Sequence, residues 1–536
     1  MNFYRKSAAV AGSAMLIALA ASCKPDLNVT DPNSPDVSRA LASAGDVRNL
    51  IGNAFNTWHR GMQGGSEPVP GVATAVMADN FTMAFGNFGA RFNGQEPRLA
   101  YNNNSSANDA TVASSPYDQM YGALGAAADG LNAIQRGVVI QTGSGPDQTQ
   151  MMQAFAYLIQ GLSLGFESLV FDQGFVVDET STPGSPTLQP YTAVSAAAIA
   201  KFDKAIAAGT GKTWTIPAEY TPGMTLTADR FVRMANTMAA RQLAYTPRTA
   251  TENAAVNWAK VLQYANAGIS TGTTPFNLQI IGDGTGLQWY DVLKYYGESQ
   301  SWVRVDQRVI QLMDPTQPVE YTSTTPPPRA QSLDARLGTT TTAGTDYKFV
   351  NNIPFAAARG VYFFSQWQHV RYFFHSFEDA SNGLGGTVPF VLAAENDLLI
   401  AEALVRTGGD RVRAAALINN TRVGRGNLPP VTAASSDNDL LAAIFYERDV
   451  ELFATGASQP WFDRRRIDTN LVYNDPSAAG GVVPIPIGNT WGFKGGSNLQ
   501  LGTPRHLPIP AKELETLGLP VYTYGGAPPN PVNPEK

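Results

Sequence analysis

Apolar side chains recur at spacings of three and four residues along several long segments of the chain, and this spacing marks one face of an α-helix. The clearest case is residues 155–170, where one stripe contains Phe155, Leu158, Leu162 and Phe166. The same pattern predicts helices over residues 41–58, 117–134, 191–208, 227–245, 251–269, 390–406, 410–423 and 437–454. Amphipathic helices must bury their apolar stripes against one another, so the sequence predicts a mainly α-helical fold.

Two of these predicted helices, 390–406 and 410–423, are separated by a very short turn. Gly408 and Gly409 can end the first helix, and Asp410 can cap the second. Alanines in both segments allow close approach, which is typical of a tetratricopeptide-like hairpin. Since no strict repeat of about 34 residues is visible, two arrangements stay open: a degenerate stack of hairpins, which we expect, and a bundle of unrelated helical pairs.

The composition changes along the chain and suggests its division into parts. Residues 38–270 form a helical N-terminal part, and residues 271–389 are rich in Gly, Pro, Thr and aromatic residues, so we expect a loop-rich insertion there. The C-terminal part, 390–536, begins with helices and ends in another Pro- and Gly-rich stretch. Long ordered loops in a compact domain often have a functional role.

The N-terminus has the pattern of an export signal. A short basic start precedes an apolar run at residues 8–21, which is too short to span hydrocarbon. The next residues resemble a bacterial lipobox ending at Cys23, the only cysteine of the chain. We therefore expect removal of residues 1–22, lipidation of Cys23 and a polar, proline-containing tether over residues 23–37. The alternative is an incidental thiol in an ordinary cleaved signal.

Composition and motifs exclude several classes of function. The chain is 43% hydrophobic and has a net charge of −6 without a long basic block, which excludes a disordered protein and a nucleic-acid partner.

Residues 161–165 (GLSLG) match a hydrolase nucleophile motif, but they lie in a predicted helix where that motif requires a strand and a sharp turn. We expect no catalytic residue, no metal and no cofactor, while a carboxylate pair assembled by the fold stays open.

Aromatic residues are concentrated in two segments outside the helical pattern, 81–92 and 287–302. Flat rings can stack on the C–H faces of a sugar or contact the side chains of a peptide, although a single ring is more often part of a core. Four polar residues accompany the second segment: Asp291, Lys294, Glu298 and Gln300. The residues that we expect to bind a ligand are Trp289, Tyr290, Tyr296 and Trp302, followed by Phe88, Arg91 and Phe92.

Four stretches of the chain resemble the RagB/SusD family of outer-membrane lipoproteins. They are the lipobox followed by LNVTDPNSPD, VPFVLAAENDLLIAEALVR with INNTRVGRG, FYERDVELFATGASQPWFDRRRID, and PRHLPIPAKELE. The third is the most specific, because the family has there a helix with Arg and Glu and then a loop with an aromatic residue, Asp and Arg. The link at residues 456–460 and Leu392, where an Arg is common, depart from the family pattern.

Within the third stretch, the charged residues also suggest a structural role. Glu447 and Glu451 are one helical turn apart and face the same way. We expect them to pair with Arg464 and Arg465 in a charge network that stabilises the fold.

The resemblance implies an α-helical fold with four tetratricopeptide-like helix pairs and a loop-rich insertion. It also implies a lipid-anchored protein at the cell outer membrane that captures an oligosaccharide, and delivers it as a hinged lid to a SusC-like TonB-dependent transporter. Such nutrient uptake requires no catalysis by this chain, so we expect a binding protein and not an enzyme. The alternatives are a peptide-binding member of the same family and a surface hydrolase.

Overall fold

The computed structural model describes residues 41, 43–64, 70–107, 110–141, 143–181, 187–272, 274–283, 289, 291–379, 385–467, 472–475, 483–486, 499–500, 502–527 and 531–533. The predicted signal and tether with Cys23, and also Tyr290, lie outside these described residues. Within the described part of the chain, no helix has both the length and the apolar character needed to cross a membrane.

Helices dominate the described residues, so the prediction of a mainly α-helical fold is confirmed. They are α1 (Ala44–Gln63), α2 (Pro70–Met77), α3 (Ala90–Asn93), α4 (Thr111–Gln135), α5 (Thr149–Val170), α6 (Tyr191–Gly209), α7 (Ala228–Tyr245), α8 (Ala250–Ala254), α9 (Trp258–Asn266), α10 (Val292–Gly297), α11 (Gln307–Met313), α12 (Ala393–Arg406), α13 (Arg411–Arg422), α14 (Asp437–Val450), α15 (Gln459–Arg465) and α16 (Ala511–Thr516).

The strands are short and form separate two-stranded antiparallel sheets. The pairs are β1 (Phe81–Thr82) with β5 (Arg304–Val305), β2 (Gln173–Phe175) with β3 (Leu188–Pro190), β4 (Leu278–Asp283) with β8 (Gly385–Val391), β6 (Tyr347–Phe349) with β7 (Trp367–His369), and β9 (Val472–Asp475) with β10 (Val483–Pro486). Since Leu278 pairs with Val391, the chain between β4 and β8 leaves and rejoins the helical part at adjacent points. The boundaries of the three predicted parts stay a prediction.

The helical part is a stack of four helix pairs. The pairs are α1 with α4, α5 with α6, α7 with α9, and α12 with α13, and successive pairs contact each other through α4–α5, α6–α7 and α9–α12. The chain thus forms the degenerate stack of tetratricopeptide-like hairpins and not a bundle of unrelated pairs.

Glycines allow the helices of this stack to approach closely. An added Cβ at Gly130 of α4 would lie 2.3 Å from Ile51 of α1, and one at Gly161 of α5 would lie 2.7 Å from the Phe202 ring. The GLSLG segment is therefore a packing feature of α5, and its Ser163 is fully buried. A serine in that position cannot reach a substrate as a nucleophile.

Some predicted helix boundaries differ from the structure. The predicted helix at 251–269 is divided into α8 and α9, because Asn257 caps α9 by accepting the Lys260 backbone N–H at 3.0 Å. The predicted helix at 390–406 starts only at Ala393, since the residues before it belong to β8. The expected loop with an aromatic residue, Asp and Arg is the short helix α15.

The expected partners of Glu447 and Glu451 are wrong, although both carboxylates do lie in a buried charge network. Arg336, 111 positions from Glu447, donates to Glu447 at 2.7 Å and to Glu451 at 3.3 Å. Arg464 is 3.6 Å from Asp79, and Arg465 donates to backbone carbonyls, one of them at 2.7 Å. The spacing of residues within one segment could not predict this pairing with an arginine so distant in sequence.

The region between β4 and β8 has its own apolar core, to which α2 and α14 also contribute. Its buried members from the region itself include Val292, Leu293, Val303, Val305, Val309, Ile310, Tyr347 and Trp367. Phe453, just after α14, packs edge to face on Phe81 at a centroid distance of 4.6 Å. This core supports the loops that carry the candidate site.

Candidate functional site

Six aromatic side chains from three segments meet at the surface beside this second core. We call them the aromatic patch: Phe85, Phe88, Tyr295, Tyr296, Trp302 and Phe377, all of them half-buried. The ring centroids of Phe88 and Tyr296 are 5.0 Å apart, and those of Tyr296 and Trp302 are 5.3 Å apart. The structure thus brings together Phe88, Tyr296 and Trp302, which lie in the two aromatic segments identified in the sequence.

Phe85 and Phe377 extend the patch on either side of Trp302. Their ring centroids are 5.9 Å and 6.2 Å from that of Trp302, respectively. Tyr295 contacts Phe377 at 5.4 Å and Tyr296 at 4.9 Å. The interplanar angles range from 42° for Tyr296–Trp302 to 84° for Trp302–Phe377, so the rings form a faceted surface and not one flat stack.

A tight turn presents Phe88 and Phe92. Phe88 and Gly89 have φ angles of 58° and 65°, and the Arg91 N–H donates to the Phe85 carbonyl at 3.0 Å. The left-handed conformation costs an L-residue roughly 1–2 kcal/mol, which the packing of the Phe88 ring on Tyr296 can offset. Phe92 is 48% exposed beside this turn, and the Arg91 guanidinium lies 6.0 Å from the Phe92 ring centroid.

Glu378 fixes the loop that precedes Trp302. Its carboxylate accepts hydrogen bonds from Ser299 Oγ at 2.9 Å, from the Gln300 N–H at 2.9 Å and from Ser301 Oγ at 2.6 Å. Partial burial opposes the charged form, but the hydrogen bonds from Ser301, Gln300 and Ser299 outweigh it and lower the pKa of Glu378. The ionised carboxylate therefore holds the Trp302 and Phe377 segments together.

Three of the four polar residues expected beside the rings do not face the solvent. Asp291, Lys294 and Glu298 are all buried. Lys294 Nζ pairs with Asp291 and donates to the Pro389 carbonyl at 2.9 Å, while Glu298 contacts His369. These contacts hold α10 in place on its buried side. Of the four polar residues, Gln300 alone is exposed at the patch.

Trp289 lies apart from the aromatic patch. It is half-buried against α1, with its ring centroid 5.2 Å from His59 and 6.1 Å from Phe55. Burial lowers the pKa of His59 to about 4, so this imidazole is neutral at pH 7. Among the described residues, no ring contact joins Trp289 to the patch, and its role in ligand binding stays a prediction.

Sequence analysis missed two contributors to the site. Phe377 ends the dense aromatic stretch 361–377, which was a usable signal, although nothing in it indicated contact with Trp302. Arg359 carries no comparable signal, yet its guanidinium carbon lies 5.3 Å from the Phe85 ring centroid. Long-range packing alone places these residues at the patch.

Another hollow, in the helical part, has a volume of about 370 Å³. It is formed between α7 and the end of α9, and polar side chains that include Asp229, Arg233, Asn266 and Thr274 line it. None of its lining residues is aromatic, and Arg233 is already paired with Asp229 at 3.1 Å. The aromatic patch is therefore the stronger candidate.

Comparison with known proteins identifies the fold. No family model matches the chain, and no curated protein matches it. Solved structures do match. Surface glycan-binding protein A from Bacteroides uniformis has a TM-score of 0.57 at 14% sequence identity, and the match covers 88% of this chain and 98% of that protein.

Two further solved structures agree with this result. A SusD superfamily protein from Parabacteroides distasonis has a TM-score of 0.57 at 12% identity, covering 89% of this chain and 96% of its own. A SusD-like carbohydrate-binding protein from Bacteroides vulgatus has a TM-score of 0.55 at 14% identity, covering 81% and 85%. The chain has a SusD-like fold, as the resemblance to the RagB/SusD family implied.

Proposed function

We propose that this protein binds a glycan at the cell surface through the aromatic patch, as a SusD-type lipoprotein. The observation that carries the proposal is the contact of Phe88 with Tyr296, which in turn contacts Trp302. Phe88 lies far from the other two residues in sequence, yet the three rings form one partly exposed surface. Aromatic rings of this kind provide large contact areas for the C–H faces of sugar rings.

The rings of the patch are preorganised, since contacts within the protein already hold them in place. Every ring of the patch except Phe377 packs on one side against the core between β4 and β8, and the Glu378 carboxylate holds the loop before Trp302. Little side-chain entropy is then lost on binding, which favours affinity. A glycan would lie across several facets, because neighbouring rings are tilted by about 42° to 84°.

The fold supports the same proposal. Among the proteins with this fold are a surface glycan-binding protein and a SusD-like carbohydrate-binding protein. The lipobox-like sequence before Cys23, which lies outside the described residues, supports anchoring to the outer membrane. We extend the proposal to delivery of the bound glycan to a SusC-like TonB-dependent transporter, with this chain as its hinged lid and without catalysis.

Binding of glycans and peptides to the purified protein tests the proposal. We expect wild type to bind members of a glycan array and no member of a random peptide library. Tyr296→Ala should weaken glycan binding about tenfold, since truncating an aromatic side chain that anchors a ligand costs more than about 1 kcal/mol. Tyr157→Ala is the matched control, because Tyr157 is a half-buried tyrosine on α5 that contacts Lys204 and no ring of the patch.

Two results would contradict the proposal. Peptide binding without glycan binding would favour the peptide-binding alternative. If Tyr296→Ala and wild type have equal glycan affinity, the ligand does not bind at the aromatic patch. The polar hollow between α7 and α9 then becomes the candidate site.

A further inference from the structure

Three arginine side chains at the aromatic patch form no salt bridge with any described carboxylate. Arg359 lies over the Phe85 ring and donates through Nη1 to the Ala84 carbonyl at 2.9 Å. Arg91 lies 6.0 Å from the Phe92 ring centroid. Both are half-buried, so that their remaining N–H groups can meet a ligand at the edge of the rings.

The third, Arg304, is fully buried just beneath the patch. Its Nε donates to the Gln300 carbonyl at 2.8 Å and its Nη2 to Asn352 Oδ1 at 2.7 Å, and both of these partners are exposed residues. Its Nη1 is buried and has no hydrogen-bond partner among the residues that the structure describes. By contrast, the buried Arg308 has the Asp449 carboxylate at 2.9 Å. A buried cation without a paired anion costs free energy that a bound anion would offset.

The Glu378 carboxylate does not neutralise Arg304. The charge of Glu378 acts on Arg304, but the Glu378 oxygens already accept hydrogen bonds from Ser299, Gln300 and Ser301. Burial accordingly lowers the pKa of Arg304 to about 10, and Glu378 reverses this only in part. Arg304 remains charged at pH 7, and the local potential on the Phe85 side of the patch is positive.

Arginine is well suited to recognise carboxylate or sulfate groups. Its planar fork donates two parallel hydrogen bonds to such a group, and it stacks on aromatic rings at the same time. The whole chain has a net charge of −6, which by itself repels a polyanion. Binding of an acidic polymer would therefore depend on this local group of cations and be screened by salt.

From this juxtaposition of unpaired arginines and half-buried rings, we infer that the ligand of the aromatic patch is an acidic saccharide, with carboxylate or sulfate groups held by Arg91 and Arg359 above the charge of Arg304. The inference rests on the proposed glycan-binding function and names its substrate class.

Pairs of polymers that share a saccharide backbone, one member acidic and the other neutralised, test this inference. The pairs are polygalacturonate with its methyl ester, chondroitin sulfate with desulfated, carboxyl-reduced chondroitin, and alginate with its propylene glycol ester. Isothermal titration calorimetry on the full-length protein at low salt should give at least about tenfold tighter binding of the acidic member of one pair, as charge-assisted hydrogen bonds are the stronger ones. That preference should shrink as salt is raised.

Variants then connect the preference to the patch. Arg359→Gln and Arg91→Gln should each lower the ratio of acidic to neutral affinity about tenfold, and Arg359→Lys should restore part of it. Arg136→Gln is the control, since Arg136 is an exposed arginine just after α4.

The outcomes separate this inference from the proposed function. Equal binding of both members of every pair, binding of none, or an unchanged ratio in both arginine variants would overturn the acidic ligand. If Tyr296→Ala still weakens binding of the neutral polymers in that case, the proposed function stands. If Tyr296→Ala changes the binding of no polymer, the proposed function itself is wrong.

Discussion

The first two helix pairs and the region between β4 and β8 are held together by different means. Between α1, α4 and α5 the contacts are mostly apolar or small side chains, such as Ile51 against Gly130. Between β4 and β8, an apolar core is supplemented by buried ion pairs, such as those of Arg336 with Asp334 and Glu447. Periodic packing forms the helical scaffold, whereas the irregular loops that carry the aromatic patch require specific polar contacts to hold their shape.

The largest expected effect comes from breaking the buried charge network. Arg336→Met leaves the Asp334 and Glu447 carboxylates buried without their counter-ion, so we expect a loss of about 3–5 kcal/mol in the free energy of unfolding. Chemical denaturation measures this loss.

The control for this change is Arg233→Met. Arg233 pairs with Asp229 at the surface, and such pairs contribute about 0–1 kcal/mol. If both variants lose the same small amount, the region between β4 and β8 does not depend on its buried charges, and the contrast with the helix pairs disappears.

The helix pairs should instead be sensitive to volume at their contacts. Gly130→Ala places a Cβ 2.3 Å from Ile51, and we expect this overpacking to cost about 1–3 kcal/mol. Gly125→Ala, in the same helix and with no atom within 4 Å of the added Cβ, should stabilise the protein by about 0.5–1 kcal/mol. Opposite signs in thermal unfolding would support close packing of α1 and α4, and equal signs would contradict it.

Glu167 of α5 is an exception to the apolar packing of the helix pairs, because this buried carboxyl has no hydrogen-bond partner within the described part of the chain. Burial raises the pKa of Glu167 well above its ordinary value of 4.5, and Asp118 adds to the effect. The unfolded chain releases this proton first as pH rises, so stability should fall above about pH 4.5, by up to about 1.4 kcal/mol per pH unit.

Glu167→Gln removes the ionisable group and should flatten this slope in urea denaturation at pH 5 to 8. Glu515→Gln serves as the control, since Glu515 is an exposed acid on α16. An unchanged slope in Glu167→Gln would show that this carboxyl does not titrate differently in the folded and unfolded chains.

The same contrast explains what the sequence could predict. The periodic stripes predicted the ends of α6 and α7 to within one residue. This was possible because the apolar residues of a buried helix face recur at regular spacing within the helix itself. Asn257 is a residue type that often caps helices, so the start of α9 was also predictable. The apolar pattern that continues across Asn257 favoured one longer helix instead. Aromatic composition likewise pointed to Tyr296 and Trp302.

The rest depends on contacts between residues distant in sequence. Asp291 and Lys294 lie beneath the rings and not among them, and no local pattern distinguishes these two positions. The pairing of Arg336 with Glu447 and the place of Arg359 beside Phe85 arise only when the region between β4 and β8 packs on α14 and on the 81–92 segment.

The most direct test of the account is the glycan affinity of Trp302→Ala compared with that of Trp214→Ala. Both are half-buried tryptophans, but Trp302 contacts Phe85 and Tyr296 in the patch, whereas Trp214 packs on Phe231 in the helical part. We predict that calorimetry will show binding weakened about tenfold or more for Trp302→Ala and unchanged for Trp214→Ala. Wild-type affinity in a folded Trp302→Ala protein would contradict binding at the aromatic patch.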